Sequence, residues 1–462
     1  MSIKTLRERI APLTTTSVAV ALAISVNVSA AVSEQEANLL GTTLTLHGAE
    51  KFANADGSIP EYTGGLSRNF SPPGFVAGAG YYPNPFADEK PLFSVSGANI
   101  AEHENHLTVG AKALLQRFPD FRMDIYQTHR TIGYPDYVLN HCKSNALNAS
   151  LTESGLGVEN AYACAPFPIP KNGLEIIWNN FLRYAEGVRT HALQSATLVD
   201  ASGHRTSLGD IHYHPVNLYA DPTKDKLESS NSRMFHSTTI GPPAQNGYIL
   251  LQHYSINYDK QDSQTWSYTP GQRRVRIAPE FAYDTPIASY GGAIFYDEIN
   301  GYAGRPDRFD WKIMGKQEIY VPYNNYDLLV ASREDSLDDN FVKPEVMRWE
   351  KHRVWVVEGT VKPGERHTYS RRTFYIDEDT WAVTATESYD NAGEIYRIGF
   401  FPTVATWDHE TYYAMVNWYD FTKNNYLMGN VVNLPNAKLE VFDDTGNPTK
   451  YRSTSLSGRG IR

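Results

Sequence analysis

Beyond residue 190 the chain is a run of short segments in which apolar and polar residues alternate, each ended by turn formers, and this confines it to an antiparallel β architecture. Residues 192–199 and 205–214 flank Asp200-Ala201-Ser202-Gly203, a hairpin signature. Residues 247–258 and 309–320 read as further strands. Residues 353–360 turn at Lys362-Pro363-Gly364 into 368–376, then at Asp377-Glu378-Asp379 into 382–389, and again at Asp390-Asn391-Ala392-Gly393 into 394–401. Sequential strands joined by tight turns make a meander. Residues 412–419 are the candidate for its closing strand, and the tail after Arg452 is expected to be mobile. Charges stand on both faces of these strands (Arg353, Glu358, Arg371, Glu387, Arg397), which a lipid-facing band does not tolerate, so an outer-membrane barrel is set aside.

A hairpin with three arginines crowded on its second strand covers 266–279. A Pro270-Gly271 turn joins a strand bearing Trp266 and Tyr268 to one reading Arg274-Val275-Arg276-Ile277. Alternation places Arg274 and Arg276 on one face and Arg273 and Val275 on the other. Two readings stay open. The arginines protect a sheet edge against aggregation, or Arg273, Arg274 and Arg276 form a cationic rim on a ligand cavity or an edge that docks a partner.

The first residues supply Lys4, Arg7 and Arg9, an apolar run over 18–28 and the small-residue site Val28-Ser29-Ala30, which together read as an export signal removed after Ala30. The run is too short, and too broken by Ser25 and Asn27, for a membrane anchor. A periplasmic location and a non-spanning mature chain, 31–462, are therefore expected. The net charge of −10 argues against nucleic acid as a partner. In an oxidising compartment the two cysteines, Cys142 and Cys164, are expected to pair.

Ahead of the β region, 100–118 and 174–182 carry apolar residues at helical spacing, the first ending at Pro119. Residues 121–132 alternate as a strand and lead through His129-Arg130 into the cysteine loop. The Pro- and Gly-rich stretch at about 41–98 reads as an extended arm lying on a single large domain. Within it Asn54-Ala55-Asp56-Gly57 lacks the distal bidentate Glu of a calcium loop and reads as a turn. A nucleophile elbow, a phosphate loop, paired metal-ligand motifs and a dinucleotide fingerprint are all missing from the sequence. His212 and His214 share a strand face, a possible metal pair lacking a third ligand. No cofactor or metal is assigned.

Six ordered motifs stand out: G-A-E-K-F-A-N-A-D-G-S-I-P-E-Y-T-G-G-L from 48, T-H-R-T-I-G-Y-P from 128, P-F-P-I-P-K-N-G-L-E-I-I-W-N-N from 166, W-S-Y-T-P-G-Q-R-R-V-R-I-A-P-E-F-A-Y-D-T-P from 266, W-K-I-M-G-K-Q-E-I-Y-V-P-Y-N from 311 and H-T-Y-S-R-R-T-F-Y-I-D-E-D-T-W from 367. Together they resemble the proteobacterial domain-of-unknown-function family 1329 (DUF1329). The resemblance implies a much enlarged relative of the periplasmic lipoprotein carriers LolA and LolB: a mainly β (α+β) fold, an incomplete barrel of one large curved antiparallel sheet, with helices covering its concave face. It also implies carriage of a lipid or other hydrophobic molecule across the periplasm, with an exporter of the resistance-nodulation-division type and an outer-membrane protein as partners. No catalytic residue carries over. A half-open barrel offers a face that side chains or an apolar ligand must fill. Trp178, Trp266, Tyr268, Trp355, Tyr375 and Trp381 are the aromatic candidates for that face or its helical lid, with core packing the rival role for each. Two other functions stay in view: an exported hydrolase or lyase with an acid/base pair in the cleft, and a non-catalytic adaptor of an envelope export complex.

Overall fold

The computed structural model describes residues 32–277, 283–287 and 290–456; the expected export signal and the end of the tail lie outside these residues. Sixteen strands join in one sheet. They are β1 (Phe93–Ser96), β2 (Arg122–Ile125), β3 (Arg189–Val199), β4 (Arg205–Asn217), β5 (Asn231–Gly241), β6 (Ile249–Ser255), β7 (Gln264–Thr269), β8 (Arg274–Ile277), β9 (Phe309–Pro322), β10 (Trp349–Val361), β11 (Arg371–Asp377), β12 (Val383–Tyr389), β13 (Ile395–Phe400), β14 (Val416–Asp420), β15 (Asn425–Val431) and β16 (Leu439–Phe442). Strands β9 to β15 form one antiparallel meander and β3 to β8 a second. The two are sewn together where β15 pairs with β3, Tyr426 opposite Val199. The exception to antiparallel pairing is one parallel contact, Trp349 opposite Ile125. Bulges at 313/315 and 388/389 bend the strands. The strand path ends at β1 and β8, so the curved sheet is not closed into a barrel.

The three longest helices among the described residues pack around the sheet. Helix α1 (Val109–Arg117) starts where the Thr108 hydroxyl accepts the Ala111 N–H at 3.0 Å. It is shorter than the 100–118 pattern predicts, because the polar run before Thr108 forms only single 3₁₀ turns at Ile100–Glu102 and Glu104–His106. Helix α2 (Asp136–Asn148) occupies what reads in the sequence as a loop. Its Cys142 bonds Cys164, and Asn145 Nδ2 donates to the carbonyls of Tyr162 and Cys164 at 3.0 and 2.9 Å. Helix α3 (Gly173–Leu182), capped by Asn172, is the second predicted helix. The strand expected over 121–132 is confined to β2, and the closing strand splits: Thr411–Ala414 pairs with Thr403–Thr406 away from the sheet, while β14 enters it. Among the described residues no helix is long and apolar enough to cross a membrane.

The faces of the C-terminal meander bury different cores. On one side Val354, Val356, Tyr375 and Ile398 meet Ala111, Leu114 and Leu115 of α1. On the other, the inner face, Val357, Phe374, Ile376 and Trp418 meet Ile176 and Ile177 of α3 and Ile287, Ile294 and Tyr302 of the connection from β8 to β9. In the N-terminal meander the outer face holds Ile249, Leu251 and Tyr268 beneath Tyr451 and Leu456, so the tail as far as Leu456 is packed down.

The Pro- and Gly-rich arm is irregular but firmly held. Arg130, from the T-H-R-T motif, donates to the carbonyls of Glu50, Lys51 and Pro60 at 2.8, 3.2 and 3.2 Å. Its Nε and Nη2 grip the carboxylate of Asp379 at 2.8 and 2.6 Å. Gly65, at φ +78, lies so close to Gly133 that a Cβ there would stand 2.5 Å from the Gly133 nitrogen. The arm thus covers the β11–β12 turn. Asp56 forms the expected turn, its Oδ1 accepting from Ser58 N at 3.0 Å.

Replacing Cys142 and Cys164 by serine removes a link across 22 residues, and chemical denaturation should show the folded state losing about 3 kcal/mol. A loss near zero would mean that α2 is held by packing alone.

Candidate functional site

Between the inner face of the N-terminal meander and the β8–β9 connection lies a pocket of about 1120 Å³, its open mouth included. Strand alternation selects its wall: Ala196 from β3, Ile211 and Tyr213 from β4, Arg233, Phe235, Ser237 and Thr239 from β5, Leu250, Gln252 and Tyr254 from β6, and Val416 and Trp418 from β14. The opposite wall is a strap formed by Ile287, Tyr290, Ile294, Tyr296 and Ile299 of the connection. Phe235, Leu250, Tyr290 and Ile299 are only half-buried, so apolar surface faces open space.

The strap is tied down by consecutive carboxylates. Asp297 Oδ2 accepts from Arg372 Nη1 and His367 Nε2, both at 2.9 Å. Glu298 accepts from the Tyr369 hydroxyl at 2.6 Å, from Phe295 N at 2.7 Å and from Arg397, whose other nitrogen reaches Asp420 at 3.0 Å. Asp297, Glu298, Arg372 and Arg397 are at most 1% exposed. Burial pushes the Asp297 carboxyl up, but Arg372, His367 and Arg397 outweigh it and hold the group below its ordinary value. Arg353, Glu387 and Arg397, which the alternation alone presents as charges on an exposed strand face, are all buried.

The polar end of the pocket is neutralised internally. Glu186 accepts from the Tyr213 hydroxyl at 3.0 and 2.8 Å and pairs with Arg233, whose Nη2 also donates to Tyr213 at 3.1 Å. Burial and the Glu186 charge push the Tyr213 phenol well above its usual range. Glu298 is the one carboxylate among the described residues that line the pocket, and both its oxygens are taken.

None of the six aromatic candidates is among the residues lining this pocket. Trp178, on α3, packs against Phe181 and Tyr258, its Nε1 donating to Gly155 O at 3.0 Å. Trp355 and Trp381 lie on the inner face, stacked at 6.3 Å, in the half that α3 fills. Trp381 adopts φ +57 and donates to His47 O at 2.9 Å. Trp266 and Tyr268 belong to the outer face, packed with Ile249 and Leu251, and Tyr375 faces the α1 side of its meander with its hydroxyl toward Glu387 at 3.3 Å. The arginine hairpin forms as read, with β8 the last strand of the sheet, except that Arg273 is in the turn at φ +49 and so has no strand face. Arg273, Arg274 and Arg276 are all exposed.

Two ionisable clusters lie elsewhere. His191 and His236 join His212 and His214 on the outer face, ring centroids 4.3 to 6.2 Å apart along the row. Burial, with Lys450 adding, pushes His214 down to about 2 and His191 to about 4, so both are neutral. The one trio of described side chains whose ligand atoms lie within 4.8 Å of one another is instead His352, Asp377 and Asp379. It does not fit a cation as it stands: both Asp379 oxygens are occupied by the Arg130 guanidinium. Burial and the neighbouring Asp379 charge raise Asp377 to about 7, while Arg130 and His47 overcome burial and hold Asp379 far below its usual value. The sequence places this acidic run on a surface turn; the arm makes it interior.

The profile of a family described as protein of unknown function (DUF1329) matches residues 94–457. An uncharacterized protein of Pseudomonas aeruginosa is 38% identical over 443 residues, covering 94% of this chain and 95% of that one. Among solved structures, a DUF1329 family protein from Desulfovibrio piger is 12% identical over 58% of this chain and 92% of its own, with a TM-score of 0.39. A putative outer membrane lipoprotein-sorting protein domain from Vibrio parahaemolyticus is 12% identical over 62% and 98%, with a TM-score of 0.40.

The raised Asp377 links stability to pH. The folded chain keeps that proton up to about pH 7, whereas the unfolded chain releases it near its ordinary value, so this group erodes stability as pH rises between about 4 and 7. Asp377→Asn should therefore gain on the wild type by about 1 to 3 kcal/mol between pH 5 and pH 8 in urea unfolding. An unchanged difference at the two pH values would contradict the assignment.

Proposed function

The chain belongs to the DUF1329 family, and from its inner pocket we propose that it is a periplasmic binding and carrier protein for a lipid or other hydrophobic ligand. The observation that carries this reading is the half-buried apolar wall of the pocket, roofed by a strap whose two carboxylates are already paired with Arg372 and Arg397. A filled core would bury Phe235 and Leu250 fully; a water-filled cleft would not be walled by Ile, Leu, Phe and Tyr. Hydrolase or lyase chemistry finds less support, since the pocket wall offers no pair of free acid and base groups among the described residues. In this reading the cargo passes between an exporter and an outer-membrane partner, as the family resemblance implies, and the chain reaches the periplasm through its export signal.

A neutral apolar fluorophore such as N-phenyl-1-naphthylamine should bind the mature protein with about one-to-one stoichiometry. Ser237→Trp, which fills the pocket from its β5 wall, should weaken binding at least about tenfold. The same substitution at Ile240, 40% exposed on the other face, should leave it unchanged. Equal effects at the two positions would sink the reading.

A further inference from the structure

The inner face of the N-terminal meander continues past the pocket onto the arginine strand. Arg276 pairs with Ser267, Ser267 with Leu250, and Leu250 with Ser237, so Arg276 belongs to the same row and face as two pocket-wall residues. Arg274 pairs with Thr269 on that face. Two strand spacings, about 10 Å, separate the Arg276 backbone from that of Leu250. The turns meet as well: a Cβ on Gly247, beside the pocket residue Tyr248, would stand 2.9 Å from Pro270 of the arginine turn.

Edge protection alone would not choose a face. Here the charges are sorted: Arg274 and Arg276 stand on the pocket side, while Val275 packs on the outer core. Among the described residues no carboxylate forms an ion pair with either arginine, in a chain of net charge −10. Inside the pocket the one guanidinium, Arg233, is matched by Glu186. An anionic group lying along this face would thus meet, beside the pocket, two arginines that no described carboxylate pairs with, and inside it only a guanidinium that is already matched.

We propose that the ligand is an anionic amphiphile, its apolar chain beneath the strap and its carboxylate or phosphate head at Arg274 and Arg276. This rests on the pocket reading above and adds the polarity of the ligand and the direction in which it lies. Lengthwise, the head sits at the β7–β8 turn and the chain runs toward Phe235 and Trp418.

The test compares cis-parinaric acid with its methyl ester by fluorescence titration on the full mature chain. The wild type should bind the acid about tenfold more tightly at low salt, and the gap should close in 0.5 M sodium chloride as exposed charges are screened at about 4 Å. Arg274→Gln with Arg276→Gln should bring the acid down to the ester's affinity and leave the ester unmoved. Both side chains are exposed, so the variant is expected to fold, and its circular dichroism checks this. Oleate and lysophosphatidic acid as competitors then separate a carboxylate from a phosphate head by which displaces the acid at lower concentration. Equal wild-type affinities for acid and ester, or a variant that loses both probes alike, overturn the headgroup assignment while leaving an apolar pocket standing. Binding of neither probe overturns the pocket reading and this one together.

Discussion

Asp297 and Glu298, held by Arg372 and Arg397, are the contact on which the inner face depends. Taking four charges out of water costs several kcal/mol each, and their mutual attraction offsets this only when partners and geometry are fixed. That makes the network a poor source of net stability and a strong source of position. Arg397 illustrates the point: one guanidinium reaches Glu298 on the strap and Asp420 on β14, so strap and sheet share one register. Losing a single member would leave its direct partner buried with less than its full counter-charge, which favours one seat for the strap on the sheet.

Given that seat, side-chain size decides what each half of the inner face becomes. Over β9 to β12 the sheet offers Val357, Phe374 and Ile376, and α3 brings Ile176 and Ile177 down onto them, so the space is filled. Over β3 to β6 the facing positions include Ala196, Gly209, Ser237 and Thr239, too small to reach the strap. The same strap therefore closes a core at one end and roofs a pocket at the other. The arm plays a matching part outside, where Arg130 ties the carbonyls of Glu50, Lys51 and Pro60 to the β11–β12 turn and turns an acidic hairpin tip into interior.

Much of the sheet is legible in the sequence because its signals are local. Two-residue alternation and turn formers locate β3, β4 and β10 to β13, and the Asn172 cap with its apolar spacing locates α3. The elements that stay hidden do so for physical reasons. Strand β5 reads S-R-M-F-H-S-T-T, polar on both sides because one face borders the pocket and the other the histidine row. Helix α2 is anchored by a disulfide and by Asn145 instead of an apolar stripe. Sheet register decides that Trp266, Tyr268 and Tyr375 look outward, and register is set by pairing partners that no single segment encodes. The strap is hidden for the same reason: Asp297 and Glu298 are ordinary loop residues until Arg372 and Arg397, some 75 and 99 positions away, fold over them. The aromatic motif residues are conspicuous in sequence because they fill cores, while the aromatics of the pocket wall, Tyr213, Phe235, Tyr254 and Trp418, stand outside the six motifs among small side chains.

The central claim, that the inner pocket exists to hold an apolar molecule, is tested most directly by what the protein carries. Protein purified from the cells that make it, denatured and extracted into organic solvent, should release close to one equivalent of a lipid or other hydrophobic metabolite detectable by mass spectrometry. The Ser237→Trp protein prepared alongside should release little. A wild-type extract with no such molecule, from protein that also fails to take up apolar probes, would contradict the account and return the pocket to a packing defect of the sheet.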